Sequence, residues 1–154
     1  MDVKYMNPFI LGCQEVIKQT MQVDLKLNSP YIRKEMTLND SMAILIGITD
    51  QIQGQVLITF PLNEALTIVS KMMGGMQISQ LDDMSISAIS ELGNMIMGHT
   101  ATIFSDNGIL TNITPPSILR GQIIINQTFG QTICIPLTSD DIHLSINVSI
   151  KDID

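Results

Sequence analysis

The chain contains few of the residues that mark several common classes of protein. Its 154 residues include no tryptophan, two tyrosines, four phenylalanines, two cysteines, and eight Lys or Arg against 15 Asp or Glu. The net charge of -7 argues against a nucleic-acid partner, because neutralising phosphates requires a basic patch. The same acidic field would repel an anionic membrane surface, so we expect neither nucleic acid nor membrane as a partner.

The two cysteines and two histidines show no metal-ligand spacing. Cys13 lies in an apolar segment with helical character, and Cys134 lies between two isoleucines in a strand-like run. Both are interpreted as core thiols. We therefore expect the chain to bind no metal and no cofactor of its own.

Long apolar runs and low-complexity tracts are also missing. The first seven residues are polar, and no apolar run is long enough to span a bilayer, which makes the cytoplasm the default location. Hydrophobic residues make up 45% of the chain and charged residues 15%, without a like-charge block. We expect one folded domain over residues 1–154.

Methionine, by contrast, is abundant, with eleven copies. Such a number can indicate a plastic binding surface. We interpret Met72, Met73, Met84 and Met95 instead as packed residues, because they fall at helical positions that core or helix packing would take.

The hydrophobic pattern predicts the order helix, strands, helix, helix, strands. The predicted helices cover residues 7–21, 62–73 and 82–106, and the predicted strands cover 23–27, 42–49, 55–60, 123–125, 132–137 and 144–150, with a turn at Phe129-Gly130. This pattern indicates an α+β fold with three helices packed on a mostly antiparallel sheet of about six strands.

Two further features of this fold are expected. The segment from Gly54 to Leu62 echoes the one from Gly130 to Leu137, which suggests pseudo-repeated halves. The last strand alternates apolar residues with Ser and Asn, so its polar face is expected to face solvent, and such an edge invites pairing with a second copy.

The predicted helix 82–106 has two distinct faces at about 100° per residue. The core-facing stripe consists of Ile89, Leu92, Ile96 and Ile103, and a separate polar arc consists of Ser87, Glu91, Asn94 and Gly98. Asn and Gly have low helix propensity. The polar arc is therefore not what stability alone would select.

Glu91 and Asn94 are three residues apart and hence neighbours on the helix surface. An Asn carboxamide is no general base, but it accepts and donates hydrogen bonds and can hold and aim a water molecule. Aiming a water is what phosphoryl transfer needs, since its catalysis is mostly positioning and electrostatics. On this spacing alone, a solvated helix face remains the alternative.

The wider motif resembles the CheC/CheX/FliY family of chemotaxis phosphatases, above all its single-motif members. The similarity lies in Leu81-Asp82-Asp83, in the Ser87, Glu91 and Asn94 spacing, in Gly98 and in Ile113-Thr114-Pro115-Pro116, and it extends to residues 46–49, 54–58 and 71–76. It therefore covers nearly the whole chain.

The resemblance implies a cytoplasmic homodimer that removes the phosphoryl group from the aspartate of a phosphorylated CheY-type receiver domain. Asn94 would orient the attacking water, and Glu91 would pair with the receiver's active-site lysine. The receiver itself would supply Mg²⁺. Ser87, Gly98 and Pro116 are expected at the partner contact, although Gly98 would equally suit packing of two helices and Pro116 the shape of its loop.

Two-motif members of this family carry a second Glu-x-x-Asn, whereas the N-terminal helix here has Glu15-Val16-Ile17-Lys18. Lysine cannot accept a hydrogen bond, so we expect one site per chain. His99 is interpreted as a structural or interface residue and His143 as exposed. The alternative function is a non-catalytic module that binds the phosphorylated receiver, or a flagellar switch-associated component.

Overall fold

A computed structural model describes residues 3–126 and 131–151 of the chain. Within these ranges there are three α-helices, eight strands and one 3-10 turn. The elements in chain order are α1 Val3–Met21, β1 Lys26–Leu27, β2 Tyr31–Arg33, β3 Glu35–Asp50, β4 Gly54–Pro61, the 3-10 turn Leu62–Glu64, α2 Ala65–Met72, α3 Asp83–Asp106, β5 Thr111–Ile113, β6 Ser117–Asn126, β7 Thr132–Thr138 and β8 His143–Ile150.

All described strands belong to one sheet in which every pairing is antiparallel. β1 and β2 both pair with β7, and β5 and β6 both pair with β3. The eight strands therefore occupy six positions in the order β1/β2, β7, β8, β4, β3, β5/β6. The predicted α+β fold with about six mostly antiparallel strands is confirmed.

The main core lies between the sheet and one layer of helices. All three helices contribute buried side chains, for example Phe9, Ile68 and Leu92, and they pack against strand residues such as Ile44 and Ile58. Side chains alternate across a strand, so the neighbouring residues of β3 and β4 point to the other face. There Met36, Ala43, Leu57 and Ile123 form a second, smaller cluster.

Several boundaries differ from the prediction. α1 begins at Val3 instead of at residue 7, and Pro8 lies inside it. A proline inside a helix gives up a backbone hydrogen bond, and here the adjoining Phe9 is fully buried, which offsets that loss. The strand expected at 23–27 is reduced to Lys26–Leu27. The predicted hairpin is confirmed, with β3 and β4 in register from Ser41 opposite Pro61.

The expectation of an exposed polar edge on the last strand is wrong. β8 pairs with β4 on one side and with β7 on the other. Asn147 is 3% exposed, and its Nδ2 donates to the Leu57 carbonyl at 2.9 Å. The hydroxyls of Ser149 and Thr132 lie 2.6 Å apart. Polar groups satisfied inside a sheet produce the same sequence alternation as polar groups facing water.

The predicted turn at Phe129-Gly130 lies outside the described residues. The pseudo-repeat stays a prediction for the same reason, since one of its segments begins at Gly130. Residues 54–61 and 132–137 of the two segments lie in β4 and β7, which flank β8. Both cysteines are buried, as predicted, and burial raises the pKa of the Cys13 thiol to about 12.

Candidate functional site

The helix that carries the polar arc begins with a side-chain cap. Asp82 is extended, and its carboxylate accepts hydrogen bonds at 2.9 Å from both the N–H and the hydroxyl of Ser85. These two hydrogen bonds hold the pKa of Asp82 below its usual range. The helix continues to Asp106 and ends before Gly108, whose φ is +83°. The predicted start and end are confirmed.

The inner face of α3 rests directly on β3. Ile89, Leu92 and Ile96 are fully buried. A β-carbon added to Gly93 would lie 2.6 Å from Cγ2 of Ile44, a distance that van der Waals repulsion forbids. Gly93 therefore allows the close approach that fixes which side of the helix faces outward. Sequence reasoning missed this residue, and its one signal was a glycine within a helical segment.

The outer face presents the four residues of the predicted arc. Ser87 and Glu91 are exposed, and Asn94 and Gly98 are half-buried. Outside its chain neighbours and the nearby backbone of its own helix, no described atom lies within 4 Å of the position that a β-carbon on Gly98 would take. Packing of Gly98 against a second helix of this chain is therefore excluded for the described residues.

Glu91 and Asn94 make no side-chain hydrogen bond or ion pair with any residue in the ranges 3–126 and 131–151. Four other polar side chains of α3 are bonded within the chain: Ser85 and His99 have side-chain partners, and the hydroxyls of Thr100 and Thr102 donate to helix carbonyls one turn earlier. The carboxylate and the carboxamide thus keep their hydrogen-bonding capacity for a partner or for water.

Pro116 lies in the loop between β5 and β6, two strands that both contact α3. The loop is held to β3 by Thr114, whose N–H donates to the Gly47 carbonyl at 3.0 Å and whose Oγ1 accepts from the Gly47 N–H at 2.8 Å. Pro115 is exposed and Pro116 half-buried. The loop geometry is thus fixed by the chain itself, as the structural interpretation of the prolines expects.

Glu15 and Lys18 of α1 lie where two-motif relatives carry their second motif, and both contact other residues of this chain. Glu15 contacts the imidazole of His99 on α3, and Lys18 pairs with Asp24 at 3.1 Å. His99 therefore joins α1 to α3, in line with its structural interpretation. These contacts favour one site per chain.

His143 is exposed as predicted, but it also has a partner. The carboxylate of Glu64 accepts hydrogen bonds from its backbone N–H at 2.6 Å and lies 2.8 Å from its Nδ1. This contact fixes the end of the β7–β8 hairpin to the turn that precedes α2. The sequence offered no signal for it, since the two residues are far apart along the chain.

The packed interpretation of the methionines holds for three of the four residues considered. Met72, Met73 and Met95 are half-buried against the core, whereas Met84 is 55% exposed. Seven residues of helix advance by about 700°, so Met84 lies about 20° from Glu91 on the outward side. The interpretation of Met84 as a packed residue is wrong for this geometric reason.

The part of the chain that the structure describes contains neither a metal-binding cluster nor a membrane-spanning helix. No group of three or more His, Cys, Asp or Glu side chains is arranged to hold a metal ion. Among the described helices, none is both long and apolar enough to cross a bilayer.

Known proteins are similar to this chain in sequence and in fold. Residues 42–138 match the family model described as chemotaxis phosphatase CheX. The chain is 34% identical over 151 residues to the protein of Thermotoga maritima named CheY-P phosphatase CheX, a match that covers 95% of this chain and 97% of the relative.

Solved structures are similar over almost the full length. A CheC-like superfamily protein from a Shewanella species superimposes with a TM-score of 0.87 at 27% identity, over 99% of this chain and 100% of that one. A chain from the CheX-CheY-BeF3-Mg²⁺ complex of Borrelia burgdorferi shares the fold, with a TM-score of 0.79 at 21% identity over 96% of this chain and 98% of that one.

The family predicted from the motif is therefore confirmed by similarity that covers 95% of the chain. The helix that carries residues 87–98 lies within the matched segment. This chain belongs to the CheX family of chemotaxis phosphatases.

Proposed function

We propose that this protein dephosphorylates a phosphorylated CheY-type receiver domain, using Glu91 and Asn94. The observation that carries the proposal is that these two side chains lie one turn apart on the outward face of α3 without a partner in the described chain. The name of the Thermotoga relative and the partner in the Borrelia complex support the choice of substrate.

In the proposed reaction, water attacks the phosphorus of the receiver's aspartyl phosphate. The bond between phosphorus and the aspartate oxygen breaks, which gives inorganic phosphate and restores the aspartate carboxylate. The Asn94 carboxamide hydrogen-bonds the water and holds it in line with the bond that breaks. Glu91 pairs with the receiver's active-site lysine and so fixes the register of the two proteins.

The divalent metal belongs to the receiver in this proposal. Mg²⁺ at the receiver's phosphorylation site would neutralise charge on the phosphoryl group. The contribution of this chain is then limited to orienting the water and docking the partner. Such a division of labour is consistent with the lack of any cation on the exposed face of α3, whose sequence contains no Lys or Arg.

Ser87, Gly98 and Pro116 are proposed to contact the receiver around this pair. Gly98 is the most informative of the three, because no other described part of this chain occupies the space next to it. A receiver backbone can approach the helix closely there. Ser87 is small and exposed one turn before Glu91, which likewise leaves room for the partner.

We also propose a cytoplasmic homodimer. Among the described strands, β6 pairs only with β3, so its other edge offers ten residues of unpaired backbone, with Leu119 and Ile124 exposed. Such an edge favours pairing with a second copy. Light scattering should give the mass of a dimer for the parent and of a monomer for Ile124→Lys, and a monomeric parent would contradict this assignment.

The proposal is tested by following phosphate release from a phosphorylated CheY-type receiver in Mg²⁺. The parent should accelerate release, whereas Glu91→Ala and Asn94→Ala should not. Glu35→Ala and Asn63→Ala are matched controls, since both replace exposed side chains outside α3 and outside the loop that holds Pro116. Full activity in Asn94→Ala, or an equal loss in Asn63→Ala, would contradict the assigned roles.

The non-catalytic binding module and the flagellar switch-associated component remain the alternatives. The intact pair of Glu91 and Asn94 favours the enzyme. A parent protein that binds the receiver loaded with Mg²⁺ and beryllofluoride but leaves phosphate release unchanged would support these alternatives instead.

A further inference from the structure

We propose that Met84 is an apolar anchor that holds the phosphorylated receiver beside the Glu91 and Asn94 pair, an inference that rests on the proposed function. Met84 lies in the first turn of α3 and is 55% exposed. Within the described chain, Ala88 and Met95 pack against the core and Met84 does not. Its side chain is therefore available to a partner.

The position of Met84 relative to the pair fits a single docking surface. It lies about 20° from Glu91 around the helix and seven residues away, which corresponds to about 10 Å along the axis. An interface of standard size covers about 800 Å² on each partner, roughly 30 Å across. A receiver placed over Glu91 and Asn94 would therefore extend over Met84.

Apart from the proposed pair between Glu91 and the receiver's lysine, charge does not explain how this face would hold its partner. α3 contains Asp83, Glu91 and Asp106 but no Lys or Arg, and the chain has a net charge of -7. A phosphorylated receiver presents an anionic group at its reacting centre, so long-range attraction to this helix is weak. Binding then depends on buried apolar area, which an exposed methionine supplies.

Methionine also suits this task chemically. Its unbranched thioether side chain has three rotatable bonds and adapts to an irregular apolar surface. The chemistry expected of the partner is therefore a patch of apolar side chains next to the phosphorylated aspartate. Met84 would contribute to affinity, whereas Asn94 would act in the chemical step.

The test compares Met84→Ala and Met84→Leu with the parent, using the same CheY-type receiver in two measurements. Affinity is measured by titrating the receiver loaded with Mg²⁺ and beryllofluoride, and KM and kcat are measured from phosphate release. We expect Met84→Ala to raise Kd and KM about five- to tenfold and to leave kcat within about twofold. Met84→Leu should restore most of the affinity.

Leu110→Ala is the matched control. Leu110 is 58% exposed and follows the opposite end of α3, a 24-residue helix about 36 Å long at 1.5 Å per residue. An unchanged KM in Met84→Ala, or an equal rise in Leu110→Ala, would overturn the inference. So would a change of oligomeric state in Met84→Ala, because Met84 would then belong to a contact between copies of this chain.

The two proposals fail in different ways. If the parent binds the activated receiver without accelerating phosphate release, the proposed function is contradicted and affinity alone decides the role of Met84. If the parent accelerates release and Met84→Ala retains its KM, the function stands and the anchor does not. A parent that does not bind the receiver contradicts both.

Discussion

Replacing Gly98 by alanine should make the protein more stable and the enzyme worse. Glycine inside a helix costs about 0.8 to 1 kcal/mol relative to alanine. Outside its chain neighbours and the nearby backbone of its own helix, the added methyl group would meet no described atom within 4 Å, so no strain offsets this gain. For a chain of this size, about 1 kcal/mol corresponds to a rise in Tm of roughly 2 to 4 °C.

The same methyl group would stand where the receiver backbone is proposed to approach. Introducing a methyl group into a close contact costs about 1 to 3 kcal/mol, so phosphate release at limiting receiver should slow by about 5- to 150-fold. Thermal unfolding and phosphate release would be measured on the same preparation. Greater stability with full activity would refute the partner contact, and lower stability would refute the absence of internal packing.

Gly93→Ala is the matched control, because it makes the same substitution five residues earlier on the same helix. A β-carbon there would lie 2.6 Å from Cγ2 of Ile44. We expect the free energy of unfolding to fall by about 1 to 3 kcal/mol. The opposite responses of Gly93 and Gly98 would separate a glycine required by the fold from a glycine required by the partner.

Two further predictions concern the residue that caps α3 and the position on α1 where a second motif would lie. Asp82→Ala should lower the Tm at neutral pH, because the carboxylate caps α3 and its pKa is lowered by Ser85. That contribution is present above the unfolded-chain pKa of about 3.9 and is lost as the pH falls through the lower folded-state pKa. The difference in Tm between parent and variant should therefore shrink on acidification, and a constant difference would contradict the role of the charge. Lys18→Asn, which restores the Glu-x-x-Asn spacing on α1, should leave phosphate release per chain unchanged, since Glu15 is held by His99. A doubled rate would show that α1 can act as a second site.

The candidate site could be predicted from sequence because it depends on one helix. The 3.6-residue period alone separates the side of Leu92 from the side of Glu91 and Asn94. Gly93 was missed for a different reason: its role depends on Ile44, which the sheet brings close from 49 residues away. The space next to Gly98 is likewise a property of the folded chain, so the sequence left two interpretations open.

Two wrong predictions inferred burial or exposure from residue type. The alternation of β8 was assigned to a solvent-exposed face, but Asn147 is buried and bonded to the Leu57 carbonyl. Along the sequence of a strand, polar residues alternate with apolar ones in the same way whether they face water or are hydrogen-bonded inside the sheet. Met84 is the reverse case, an apolar side chain on the exposed side of a helix. The partner that buries Asn147 is distant in sequence, whereas the exposure of Met84 follows from its position about 20° from Glu91 around the helix.

The most direct test of the central claim separates binding from chemistry at Asn94. The decay of a phosphorylated CheY-type receiver in Mg²⁺ would be measured at saturating concentrations of the parent and of Asn94→Ala, alongside the affinity of each for the receiver loaded with beryllofluoride. If Asn94 positions the attacking water, kcat should fall by about a hundredfold or more while Kd changes by less than about threefold. Decay that remains as fast with Asn94→Ala as with the parent would contradict the account.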